Sequence, residues 1–107
     1  MKQFYKGNIH THTTKSDGDE DPIKVTKWYK AHGYDFLVLT DHNHRTILDY
    51  GNEIETAETP LMIPGEEVTM NIQNNDVTVP IHINGIGIER VVEPIEVDGV
   101  VSTIQAN

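Results

Sequence analysis

Phe36-Leu37-Val38-Leu39-Thr40 is an unbroken apolar run of strand length, and Asp41-His42 follow it directly. Consecutive strand side chains point to opposite faces, so a run apolar at every position predicts a strand covered on both faces, as in parallel α/β sheets. Just upstream, Gly33 marks the end of a predicted helix. In that helix Val25, Trp28, Tyr29 and His32 recur at i, i+3, i+4 and i+7, with Asp21 as N-cap and Pro22 at the first helical position. Trp28 and Tyr29 are expected in the core, and His32 is read as a charge favoured by the helix C-terminus. Asp19, Glu20 and Asp21 are loop charge and cap. The polar stretch from Thr13 to Asp21 reads as a loop, and Phe4 to Thr11 as a first strand running into His10-Thr11-His12. The order is strand, helix, strand.

Downstream the pattern is less regular. A short helix is expected over Ile47 to Glu58, ended by Thr59-Pro60. Leu61-Met62-Ile63 reads as a third strand broken by Pro64-Gly65. Val68 to Ile72 and Val77 to Ile83 read as extended segments around the turn Gln73-Asn74-Asn75-Asp76, with Pro80 interrupting the later strand. The residues from Glu93 to Asn107 show no clear period, so a helix there and an irregular tail both stay open. Alternating strands and helices call for a mostly parallel sheet or a barrel of βα units. A closed barrel takes about 250 residues, so the 107 present supply at most half of one. The fold class expected is therefore α/β, the N-terminal portion of a distorted, unclosed βα barrel, with residues 1–107 forming a single partial domain.

Composition narrows the chemistry. Seventeen acidic residues against eight basic ones give a net charge of −9, which repels a phosphate backbone and argues against direct nucleic-acid binding. The chain has no cysteine, so a disulfide framework, a zinc ribbon and a thiol nucleophile are all excluded. A metal would have to be held by the six histidines and the acids. Met1 to Tyr5 does not resemble a secretory signal, and no apolar stretch approaches the roughly 20 residues of a membrane span. These features predict a cytoplasmic protein without membrane partners.

His10 and His12, two apart at a strand end, would present both imidazoles to one point. Asp17 lies in the following loop, Asp41 and His42 end the next strand, Glu66 and Glu67 follow the third, and His82 lies near the end of the fourth. Parallel α/β sheets and barrels gather their functional groups at such strand ends. Mixed imidazole and carboxylate groups suit Zn²⁺, Mn²⁺ or Fe better than Mg²⁺ or Ca²⁺, which prefer oxygen alone. His44 reads as a solvated loop histidine within reach of His42. Gly85 and Gly87 do not complete a nucleotide-binding fingerprint.

Four stretches, Gly7 to Gly18, Leu39 to Asn43, Pro64 to Thr69 and His82 to Gly85, together resemble the PHP (polymerase and histidinol phosphatase) family, in that family's order and over residues 7 to about 88. Gly65-Glu66-Glu67-Val68-Thr69 and His82-Ile83-Asn84-Gly85-Ile86-Gly87 look more like its carbaryl-hydrolase-like branch than its polymerase-associated branch. The resemblance implies a distorted TIM-like βα barrel holding two or three divalent ions. It implies His10 and His12 as ligands of one metal, Glu67 as a bridge between two, His82 on the second, and Asp17 and His42 on a third. Glu66 is the less favoured ligand. Asp41 is expected to orient a neighbouring imidazole. The family's later His-Pro and Asp-x-His ligand motifs do not occur in these residues. A fragment of a longer protein is therefore expected, or ligands completed by water or another subunit. In a fragment the unclosed sheet would favour self-association.

The function expected is metal-dependent hydrolysis of a small ester, with a phosphoester as the leading class. A metal-bridged hydroxide is the nucleophile, and Asp17, Asp41 and His42 are the catalytic candidates, with Asp17, His42 or His44 moving the proton. The alternatives are a non-catalytic metal-binding or interaction module, and an inactive truncated segment. Amidohydrolase-like barrels also open with His-x-His, but their carbamylated lysine has no evident counterpart here.

Overall fold

The computed structural model describes residues 2–48 and 58–107, forming β1 (Gly7–Asn8), α1 (Pro22–Ala31), β2 (Phe36–Leu39), β3 (Leu61–Asn74), β4 (Val77–Ile86) and α2 (Val97–Ala106). The expected helix over Ile47 to Glu58 falls almost wholly outside the described residues. One four-stranded sheet runs in the order β1-β2-β3-β4. It curls into a half-barrel in a mixed α/β arrangement compatible with part of a barrel.

β2 behaves as its sequence requires: Leu37, Val38 and Leu39 are all buried, on both faces. Leu37 and Leu39 pack with Leu48 against Ile23, Val25 and Tyr29 of α1. The Asp21 side chain accepts from the Lys24 N–H at 2.8 Å, capping α1 as predicted, and Gly33 ends it with φ at +80°. Trp28 departs from expectation. The helix face that meets the sheet is centred on Thr26, leaving Trp28 53% exposed.

β1 is far shorter than the expected strand over Phe4 to Thr11. Asp35 accepts the Lys6 N–H with its carboxylate at 2.8 Å, which ends the ladder, and Phe4 and Tyr5 before it find no covering layer among the described residues. His10 and His12 lie past β1 in non-strand backbone. Thr11 still ties this segment to the end of β2, since its carbonyl accepts the Thr40 N–H at 2.8 Å.

β3 is the main correction. Pro64-Gly65 does not break it. Instead the strand changes partner there, pairing in parallel with β2 through Leu61 to Pro64 and antiparallel with β4 from Gly65 to Asn74. Pro64 lacks an N–H, but its carbonyl still accepts from Gly87 at 2.7 Å. Gly65 permits the close approach to β2, because a Cβ there would lie 2.4 Å from Val38 Cγ1. The sheet is thus not mostly parallel: its last pair is a hairpin turned at Asn75, whose φ is +56°. Pro80 is tolerated opposite Asn71.

Alternation then sorts the two faces of β3 and β4. Val68, Met70 and Ile72 pack with Ile81 and Ile83 under Val97, Val100 and Ile104 of α2. The opposite face carries Glu67, Thr69 and His82, with Thr69 and His82 directly paired. α2 resolves the open choice for the tail in favour of a helix.

Candidate metal centre

Three segments, the stretch after β1, the end of β2 and the middle of β4, bring four predicted residues, His10, His12, His42 and His82, around Glu67. The register of β2 and β3 continues past their ladder, so His42 lies opposite Glu67. There the Glu67 N–H donates to the Asp41 carbonyl at 3.1 Å, and the Asn43 N–H donates to the Glu67 carbonyl at 3.0 Å. Asn43, held at φ +49°, prolongs the pairing with its side chain: its Oδ1 accepts the Thr69 N–H at 2.9 Å and its Nδ2 donates to the Thr69 carbonyl at 3.1 Å.

Glu67 Oε2 lies 3.3 Å from His10 Nε2, 3.0 Å from His12 Nε2 and 3.3 Å from His42 Nδ1. Its other oxygen, Oε1, lies 3.4 Å from His82 Nδ1. Oε2 is buried and accepts no hydrogen bond from the described residues. A buried carboxylate oxygen without a donor is costly, and a cation is the usual remedy.

The spacing fits that remedy. His10 Nε2 and His12 Nε2 lie 3.1 Å apart, completing a triangle with Glu67 Oε2. Ligand atoms each about 2.1 Å from a shared zinc-like ion stand about 3.0–3.4 Å apart for coordination angles between octahedral and tetrahedral. Three overlapping groups bring one ligand atom from each residue within 4.8 Å of the others: His10, His12 and Glu67; His12, Asp17 and His42; His42, Glu67 and His82. The first and third have only Glu67 in common, and its two oxygens face different histidines. Ligand clusters capable of holding a metal are therefore present, with the identity of the ion left open by the donor set.

Asp17 reaches back from its loop to both central imidazoles, with Oδ1 3.4 Å from His12 Nδ1 and Oδ2 3.2 Å from His42 Nε2. The rings of His12 and His42 stack with centroids 4.5 Å apart. Ser16 Oγ lies 3.3 Å from His12 Nδ1. With its Nδ1 facing Asp17 and Ser16, His12 is set to present Nε2 toward Glu67, the usual way a carboxylate fixes the tautomer of a ligand histidine.

Asp41 occupies a different place from the imidazole-orienting one expected for it. Wholly buried, it accepts from the Thr13 N–H at 2.7 Å, the Thr13 hydroxyl at 2.8 Å, the Ser16 hydroxyl at 2.8 Å and the Thr46 hydroxyl at 2.5 Å. Burial pushes its carboxyl pKa up, but the bonds from Thr46, Thr13 and Ser16 together outweigh this and hold it below the usual aspartate range. Asp41 thus pins the loop that delivers Asp17, and none of its described partners is an imidazole.

Glu66 points to the other face of β3, into the core. One oxygen accepts the Val92 N–H at 2.7 Å and the other, Oε2, has no hydrogen-bond partner among the described residues. Burial raises its pKa; the Val92 N–H opposes, the Glu93 charge adds, and His44 opposes. His44 lies on the Glu66 side of the problem and joins none of the three ligand groups. His32 sits at the C-cap of α1 with Nδ1 2.7 Å from the Trp28 carbonyl.

Sequence reasoning passed over Thr69. Its hydroxyl lies 2.6 Å from His42 Nδ1 and 3.1 Å from His82 Nδ1, bridging two candidate ligands. The available signal was its spacing, two residues after Glu67 on one strand. No helix among the described residues is long and apolar enough to cross a membrane. No family model matches the chain, and no curated protein matches it.

Proposed function

We propose that this chain carries the metal centre of a PHP-type, metal-dependent hydrolase that cleaves a small phosphoester or a related ester. The observation that carries this is the placement of Glu67, a buried carboxylate whose oxygens meet four imidazoles from three separate segments. His10 and His12 would hold one ion, His42 and His82 a second, with Glu67 shared between them and Asp17 within reach of both central histidines. Divalent ions held there would act as Lewis acids and lower the pKa of bound water to roughly 7.

The protein's own groups supply the remainder. Hydrolysis adds water across the ester: its oxygen bonds to phosphorus, the ester P–O bond breaks, and the alcohol departs with a proton. Asp17, 68% exposed at its side chain and touching His12 and His42, is placed to pass that proton. Three protein ligands in each group leave coordination positions open for water and substrate. The acidic surface is no obstacle, because paired dications reverse the local sign.

The test pairs metal content with turnover. Purified protein loaded with Zn²⁺ or Mn²⁺ should hold metal stoichiometrically and hydrolyse a chromogenic phosphomonoester, whereas His10→Ala and Glu67→Ala should lose both. Equal activity in all three proteins would refute the assigned site. Tight metal without turnover on any ester would assign a non-catalytic metal-binding module instead.

A further inference from the structure

A groove of about 440 Å³ runs between α1 and the loop ahead of it, within the usual range for a small-ligand site. His12 is among its lining residues and also belongs to the candidate metal centre, so the groove adjoins that centre. Its apolar wall is Val25, Trp28 and Tyr29. Trp28, the single tryptophan of the chain, is half exposed yet held in place. Its ring stacks on His32 with centroids 3.8 Å apart and meets Tyr29 edge-on at 5.1 Å.

We propose that this groove is the leaving-group subsite and that Trp28 selects esters whose alcohol carries an uncharged aromatic ring. The proposal rests on the hydrolase function above and names its substrate class. Charge supports it. Asp19 and Glu20 stand on the groove wall, and Lys24 beside them is paired with Glu20 at 3.3 Å. The one lysine among the described lining residues is thus already paired, so the phosphoryl group belongs at the His12 end and the neutral ring outward. An aromatic wall already fixed by two neighbouring rings loses little freedom when a further ring stacks against it.

The test uses ligands that are not cleaved. 2-Phenylethylphosphonate and ethylphosphonate share one anionic head and differ in the ring. Each is titrated against the metal-loaded full chain by Trp28 fluorescence and by saturation-transfer NMR. 2-Phenylethanol is titrated against metal-free protein in the same way, which reads the groove independently of metal. The phenyl compounds should give saturable quenching and the ethyl compound should not. By NMR, Trp28→Ala should lose about tenfold of the phenyl preference and Trp28→Phe should keep most of it. Phenyl compounds binding no better than ethylphosphonate, or a preference that survives in Trp28→Ala with native circular dichroism, would overturn the subsite. Absence of metal uptake would instead remove the hydrolase function, while the 2-phenylethanol titration would still decide the groove.

Discussion

Replacing Asp41 with asparagine removes one charge and keeps the shape. In the protein that carboxylate accepts four hydrogen bonds in a buried place: two from Thr13, one from Ser16 and one from Thr46. The asparagine carbonyl can keep two of them, but its amide then faces two hydroxyls that now donate. The Thr13 hydroxyl already accepts from the Lys15 N–H at 3.1 Å, so accepting from the amide as well would use its second lone pair and leave its proton without the carboxylate it now bonds. Hydrogen bonds to charged groups contribute about 1.5–3 kcal/mol against about 0.5–1.5 for neutral ones, which sets the loss at roughly 3 kcal/mol. With an m-value of about 1.5 kcal/mol/M, the urea midpoint should fall by about 2 M. The loss depends on pH in a defined direction. The folded-state pKa of Asp41 is depressed, so its contribution is present above the unfolded value, about 3.9, and disappears as pH falls through the folded value. The gap between wild type and variant should therefore close in acid. Because Asp41 anchors the loop bearing Asp17, metal affinity should also fall, by roughly ten- to a hundredfold. A midpoint shift under about 0.3 M, or full destabilisation with unchanged metal affinity, would refute the loop-pinning role.

Three further outcomes can be checked alongside it. Glu66 has a raised folded-state pKa, so its favourable contribution exists below its unfolded value and is lost as pH rises through the folded one; Glu66→Gln should melt above wild type at pH 8, with the advantage vanishing near pH 4, and a pH-independent difference would count against the buried-carboxyl account. Chelation should lower the melting temperature of metal-saturated protein, since an ion at a hundred times its Kd contributes about 2.7 kcal/mol; Glu67→Ala should show no such shift by calorimetry. Gly65→Ala places a Cβ 2.4 Å from Val38 Cγ1 and should destabilise by about 1–3 kcal/mol, with Val38→Ala restoring part of that loss in a double-mutant cycle.

Much of the centre could be read before any coordinates. The residues expected to ligate, His10, His12, Asp17, His42, Glu67 and His82, are brought together, and the expected cap and stop of α1 are present. These features are local: a cap, a two-residue spacing, a fully apolar run. What the sequence obscured is tertiary. Pro64-Gly65 reads as a break because proline cannot donate to a ladder, yet here β3 is exchanging one neighbour for another at that point. Trp28 fits the helical period but lies off the face that meets β2, and periodicity alone cannot locate that face to within one residue. Asp41 was recognisable as important beside His42, but its partners, Thr13, Ser16 and Thr46, are hydroxyl residues with no pattern to announce them.

The partner exchange in β3 explains why the ligands converge at all. In a strand parallel to β2 along its whole length, Glu67 would have neighbours from one side only, at the tip of the ladder. Because β3 continues past the end of β2 and takes β4 as its new partner, Glu67 stands where both neighbours are within reach. His42 comes from the end of β2 and His82 from the middle of β4. His10 and His12 enter from the third direction, held beside Thr40 by Thr11. Gly65 is what allows the crossing from one pairing to the next, since any side chain would drive the strands apart at Val38. Gly65→Ala should therefore weaken metal binding as well as stability, although Gly65 touches no ligand. A variant that lost stability yet bound metal as tightly as wild type would show that the ligands assemble without the exchange.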